Sequence, residues 1–270
     1  MNLLLIPTLL LALLLFAIGQ RISRRHHSRW LVAGFLLAAL PAVAFAAYYT
    51  KLFGEAKWFY VIRSIPFTEL SAAGIGLFAG WLQHQRSQHP HLKRMAGSFL
   101  VPFLTVLCVM SPYLKQIFLR PDWGRFENRW TEDVCLQSSE SSCGPAAAAT
   151  LIRHFGKNAT ELEIARAAYT TRRGTENWYL IRTIRKFGLK VNYAVVTAGL
   201  DNVLFPSIAG VRLNLTGNTG HYITLLAKDG ERFIVGDPLN GREELTRQEM
   251  EERYTFTGFY LICTAPVSSE

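Results

Sequence analysis

Cys143 stands at the point where the run CGPAAAATLIRHF (143–155) reads as a helix, with Pro145 suited to the first turn and Gly156 to the stop. First-turn amides lack helical partners, and the positive end of the dipole faces the sulfur. Both favour thiolate over thiol, as a cysteine nucleophile requires. A lone cysteine is more often a small buried hydrophobe, so the partners decide. His221 opens a strand-like run, and the return run ends at Gly236-Asp237-Pro238. If Ala227 pairs with Glu231 across a Lys228-Asp229-Gly230 loop, His221 falls directly opposite Asp237 and shares its face. A two-residue Asp229-Gly230 turn would shift the register by one and send Asp237 to the other face, unless a bulge at Gly236 intervenes. With His221 and Asp237 together, Cys143 gains a base and an orienter. Gln137, in the loop entering the helix, can pair its side-chain amide with the Cys143 N–H to hold an oxyanion.

These residues need a helix presented to a sheet. Thr160 and Glu163 have capping-box spacing before a helix near 161–169, a third helix is expected at 175–187, and Thr246 with Glu249 starts one more. Strand-like runs fall at 189–196, 207–213, 221–227, 231–236 and 258–263. Helices first and strands afterwards indicate an α+β domain with an antiparallel sheet.

The four positions together resemble the bacteriocin-processing cysteine peptidase family, the papain-like enzymes that remove double-glycine leader peptides. The similarity rests on Gln137-Ser-Ser-Glu-Ser-Ser-Cys143-Gly144-Pro145, His221-Tyr222 and Asp237-Pro238, and runs over roughly 132–263. It implies a papain-like fold with Cys143 as nucleophile, His221 as general base, Asp237 as orienter and Gln137 as oxyanion donor. It also implies a peptide or protein precursor as substrate, cut after Gly-Gly or Gly-Ala. The sequence departs from the family in three ways. Its apolar segments precede the peptidase, Ser142 stands where the family often has an acid, and no G-x-x-x-x-G-K-[ST] phosphate loop occurs. A separate transporter is therefore a candidate partner. Two other readings use the same residues: an acyltransferase or transpeptidase, and a catalytically silent peptide-binding domain of a membrane assembly. The aromatics Trp178, Tyr179, Tyr193 and Tyr222 are candidates for the cleft, with core packing the commoner fate. No cofactor is implied.

Composition places the other half. The chain has 270 residues, half of them hydrophobic, and a net charge of +9. Residues 1–120 hold 12 Lys or Arg and only Glu55 and Glu69, so the whole excess lies there, while 121–270 is close to neutral. Positive charge between apolar runs is a membrane-topology signal rather than a nucleic-acid footprint. Stretches 1–20, 30–50 and 95–114 have the length and apolarity of spanning helices, and 65–82, rich in Gly and Ala, is a weaker fourth. The loops 21–29 and 84–94 are basic and expected in the cytoplasm, which requires two crossings between them. We therefore expect about four transmembrane helices in 1–120 and a papain-like peptidase domain in 121–270. The bilayer expected is the bacterial inner membrane, with the peptidase on the extracytoplasmic side. The first stretch lacks a leading positive region and reads as an uncleaved helix rather than a signal peptide. Arg63 and Glu69 read as an interfacial pair, and His84, His89 and His91 as a solvated basic loop rather than a metal site. Cys108 falls in an apolar segment. Cys135 and Cys263 could form a disulfide outside the cytoplasm.

Overall fold

A computed structural model describes residues 2–26, 28–52, 56–88, 100–214 and 219–265. The chain forms two compact units: 1–56 with 65–118, and 57–64 with 119–270.

The first unit is a helical bundle. Helices α1 (Leu5–Ser23) and α2 (Arg29–Tyr49) are long and apolar enough to cross a membrane, as is Leu100–Phe118. The weaker stretch is not one regular helix. It begins as a 3-10 turn (Thr68–Gly74) and continues as a 14-residue α-helix, Ile75–Gln88 (called α4, with α3 reserved for Lys57–Ser64). It compensates by packing backbone to backbone on α1. A Cβ added at Gly76 would stand 2.2 Å from the Ala12 carbonyl oxygen, and one at Gly80 2.1 Å from that of Phe16. Gly19 meets Leu77 in the same way. Small residues spaced by four permit this approach.

The contacts also give the bundle a polarity. Gly76 over Ala12 and Gly80 over Phe16 make α1 and α4 run parallel. Arg86 near the end of α4 thus shares an end with Arg21, Arg24 and Arg25. At the other end the Thr8 hydroxyl is 2.9 Å from the Tyr113 hydroxyl, and Lys115 Nζ lies 5.5 Å from the Tyr49 ring centroid. The helix Leu100–Phe118 (α5) therefore finishes away from the arginines. Residues 89–99, with His89, His91 and most of the second basic loop, lie outside the described residues, as does Glu55.

The second unit is α+β, as the sequence pattern predicts. Its Cys143 helix (α6, Cys143–His154) is followed by α7 (Glu161–Ala167) and α8 (Asn177–Lys186). A six-stranded antiparallel sheet has the order β3-β8-β4-β5-β6-β7. The strands are β3 (Lys190–Val195), β4 (Ser207–Leu213), β5 (Thr219–Asp229), β6 (Arg232–Asp237), β7 (Gly241–Leu245) and β8 (Tyr254–Thr264). The short β1 (Trp130–Thr131) and β2 (Val134–Cys135) form a separate pair ahead of the helices. Before β8, Thr246 and Glu249 complete a capping box on α9 (Arg247–Arg253). Strand β8 begins four residues earlier than its pattern indicates, because Gly258 (φ 77) interrupts it without ending it. Strand β7 escapes the pattern because Gly-Arg-Glu-Glu-Leu is a charged edge strand.

The bundle contacts predict the effect of added side chains. Gly80→Val should lower the thermal unfolding midpoint in detergent, by an overpacking cost of about 1–3 kcal/mol. Gly34, with nothing within 4 Å of an added Cβ, should accept Ala with no loss. Equal behaviour of the two variants would contradict the close α1–α4 contact.

Candidate active site

Residues of β5 alternate between two environments. Thr224 Oγ1 donates to the Ala147 carbonyl at 2.9 Å, which fastens α6 to the strand. Ile223 and Leu225 face the other way, into a cluster with Val235 and Tyr254. His221 shares the parity of Ile223.

The register around it differs from the sequence expectation. Asp229 pairs with Arg232 across a Gly230-Glu231 turn, with Gly230 left-handed at φ 55. Continued unbroken from Ala227↔Ile234, this ladder would align Asp237 with Thr224, on the wrong face. Leu226 is an extra residue that corrects it. Beyond this bulge Leu225 pairs with Val235 and Thr224 with Gly236, which brings Asp237 into line with Ile223. His221 and Asp237 are therefore diagonal neighbours on one face, not directly opposed, and the three-residue loop does not occur.

The diagonal is closed by a hydrogen bond, 2.8 Å from His221 Nε2 to Asp237 Oδ1, with both side chains buried. With Nε2 engaged by Asp237, Nδ1 is the ring nitrogen left to serve the Cys143 thiol. Burial lowers the affinity of the His221 ring for a proton. The Asp237 and Cys143 hydrogen bonds and charges outweigh this and hold its pKa up at about 9. Burial works against ionisation of Asp237 as well, but the His221 bond and charge, with the Tyr254 hydroxyl and Leu239 amide, hold its carboxyl below the usual range.

Asp237 is saturated with donors. Besides His221, Oδ1 accepts the Leu239 N–H at 2.9 Å, and Oδ2 accepts Asn240 Nδ2 at 3.0 Å and the Tyr254 hydroxyl at 2.6 Å. Such a carboxylate has one fixed orientation. Asn240 and Tyr254 were not evident from sequence spacing. Asn240 sits in the turn after Asp237-Pro238, and Tyr254 arrives from the start of β8.

Gln137 lies beside this turn, its N–H donating to the Pro238 carbonyl at 2.8 Å. Its side-chain Nε2 donates 2.9 Å to the Ser139 carbonyl of its own loop. The loop is further held by the buried Glu161, whose carboxylate accepts the Ser138 N–H at 2.8 Å and the Ser138 hydroxyl. From sequence, Glu161 is simply an acid in the first turn of α7. Trp178 and Tyr179 are buried, as core residues, while Tyr193 and Tyr222 are half-buried. A Cβ added at Gly144 would stand 3.5 Å from the Tyr222 ring.

All four cysteines are free, including Cys135 and Cys263. Burial pushes each of those two thiols up to about 12. Cys143 alone of the three in this unit is half-exposed. Among the described residues no group of three His, Cys, Asp or Glu side chains could hold a metal ion.

Comparisons with known proteins bear on the same unit. The family model described as "Peptidase C39 family" matches residues 131–268. An uncharacterised protein of Methanothermobacter thermautotrophicus is 33% identical over 135 residues, 50% of this chain and 90% of that protein. A probable microcin-H47 secretion/processing ATP-binding protein of Escherichia coli is 28% identical over 141 residues, 51% of this chain and 19% of that protein. Among solved structures, the peptidase domain of Streptococcus ComA, a bi-functional ABC transporter, is 20% identical with a TM-score of 0.40, covering 49% of this chain and 96% of that domain. A double-glycine-motif protease from an AMS/PCAT transporter, solved with a leader peptide, is 21% identical with a TM-score of 0.40, covering 52% and 94%.

The pairing of His221 predicts a pH dependence of stability. Its folded pKa, about 9, exceeds the roughly 6.5 of an unfolded histidine. The stabilisation is thus fully present below about pH 6.5 and is lost as pH rises through about 9, on the order of 3 kcal/mol in total. Denaturant unfolding across that window should show the decline, and Asp237→Asn should flatten most of it. A wild-type stability that does not fall over this range would contradict the charged pair.

Proposed function

Because this chain belongs to the peptidase C39 family, we propose that it is a membrane-anchored cysteine peptidase that cleaves a peptide or protein precursor after a Gly-Gly or Gly-Ala leader. The observation that carries the reading is the buried 2.8 Å hydrogen bond between His221 and Asp237, on the strand to which the Cys143 helix is fastened.

In this mechanism the Cys143 proton already resides on His221, whose pKa is held up at about 9, and the sulfur attacks the scissile carbonyl carbon. A C–S bond forms and the carbonyl electrons move to oxygen. The oxyanion is received by the Cys143 N–H at the helix start and by Gln137. One N–H of the Gln137 amide is engaged by Ser139, so its second N–H is the one available to turn towards the oxyanion. Collapse breaks the C–N bond, and the amine leaves with the proton from His221. Water, deprotonated by His221, then attacks the thioester, releases the acid and returns the thiol. Asp237, locked by four donors, keeps the ring aligned through both half-reactions.

The three long apolar helices support the anchoring. Gathering of Arg21, Arg24, Arg25 and Arg86 at one end of the bundle supports a cytoplasmic position for that end. The chain leaves the bundle at Phe118, the opposite end, which supports a peptidase on the extracytoplasmic side. The Escherichia coli relative is named for secretion and processing together with ATP binding. By analogy, a separate transporter is the partner proposed for this chain.

The test compares protein amino termini in cells carrying the intact chain with cells carrying Cys143→Ala. A small set of termini that follow Gly-Gly or Gly-Ala should vanish with the thiol, each replaced by its longer precursor. Identical profiles at equal expression would count against proteolysis.

A further inference from the structure

Helix α3, Lys57–Ser64, belongs to the peptidase unit although it lies in sequence between two apolar stretches of the bundle. Its inner face is built into the peptidase core. Phe59 meets Trp178 edge to face at 5.8 Å between centroids. Tyr60 lies 6.0 Å from each of Trp178, Tyr193 and Phe259. The fully buried Arg63 places its guanidinium 5.1 Å from the Trp178 ring centroid and donates to the Tyr179 hydroxyl at 3.3 Å. In return Arg182 donates to the Arg63 carbonyl at 2.5 Å, and Arg185 to that of Ser64 at 3.2 Å. These carbonyls are at the helix's C-terminal end, where cations are favoured. The aromatic contacts continue to the active site, since Phe259 lies 6.5 Å from Tyr222, the neighbour of His221.

The outer face has a different character. Trp58, Val61 and Ile62 are 57%, 44% and 46% exposed. A soluble domain has no reason to show water three large apolar side chains on one short helix. The chain dictates what covers them. Only residues 50–56 separate α3 from the end of α2, and none separates it from the first unit at Ile65. If α2 and the following segment cross the bilayer, α3 is confined to the bilayer surface. Its outer face has the composition of an interfacial helix: a tryptophan, branched aliphatics, a flanking lysine and no acid.

We propose that α3 is an interfacial membrane helix shared with the peptidase fold. Its inner face completes the aromatic wall behind Tyr222, and its outer face lies among lipid headgroups and upper acyl chains. The peptidase is thereby seated directly on the bilayer, and the substrate class this suits is a precursor presented at the membrane surface. The inference rests on the reading of the long apolar helices as membrane spans.

The experiment uses the full chain in phosphatidylcholine nanodiscs with and without bromine on the acyl chains. Emission of Trp58 is taken as the difference between wild type and Trp58→Phe, and Trp30, at the start of α2, is measured in the same way with Trp30→Phe. The expected result is loss of the Trp58 emission on bromination, together with that of Trp30. Val61→Asp with Ile62→Asp, both on the exposed face, should restore the Trp58 emission while the chain stays in the disc. Quenching of Trp30 alone would overturn the proposal and give the outer face to a second copy or a protein partner. If neither is quenched and alkaline carbonate strips the chain from native membranes, the spanning reading itself fails, and this inference with it.

Discussion

The site depends on one extra residue. Without Leu226 the β5–β6 ladder would carry Asp237 on the face of Thr224, the residue that fastens the Cys143 helix. His221 would then face away from any carboxylate. The bulge reverses the parity of everything after it. It lets one face of β5 serve the helix while the other builds the His221–Asp237 pair. Placing the bulge partway along the hairpin, away from the site, leaves the last ladder pairs regular where accuracy is needed.

Around this pair, rigidity comes from polar groups that are nearly all satisfied from the backbone or from buried side chains. Asp237 draws on a strand histidine, a turn amide, a turn asparagine and a tyrosine from β8. The Gln137 loop is tied to the same turn through Pro238 and to α7 through Glu161. Cys143, His221 and the Gln137 loop are thus referred to one local frame, even though they come from separate stretches of chain. In a buried setting each of these bonds also raises the cost of any partial rearrangement.

Much of this was legible in the sequence because local rules apply to it. The helix at Cys143, the strand at 207–213 and the Thr246–Glu249 box each follow from a few adjacent residues, and the structure has them. The chemistry-bearing residues were legible because their types are restrictive. The register was not, because a bulge has no side-chain signature at Leu226. Asn240, Tyr254 and Glu161 were hidden for a different reason: their contribution depends on which distant backbone they meet. The same holds for α3, whose apolar residues read as part of the membrane region, whereas Phe59, Tyr60 and Arg63 find their partners more than a hundred residues later.

That late partnership makes the peptidase a discontinuous folding unit. Its first helix is synthesised before α5, yet it cannot dock until α8 and β8 exist, so the unit closes only when nearly the whole chain is available. The intervening segment 65–118 is a long loop from the standpoint of this unit. Closing it adds little extra entropy cost, since each doubling of loop length is worth only about 0.6 kcal/mol. The cost falls instead on dissection. A fragment beginning at Leu119 leaves its own α3 behind, uncovers the Trp178 ring and frees the Arg182 and Arg185 donors of their carbonyls. The natural boundary of the peptidase is thus a pair of segments, and an excised domain must carry residues 57–64 grafted back to be whole.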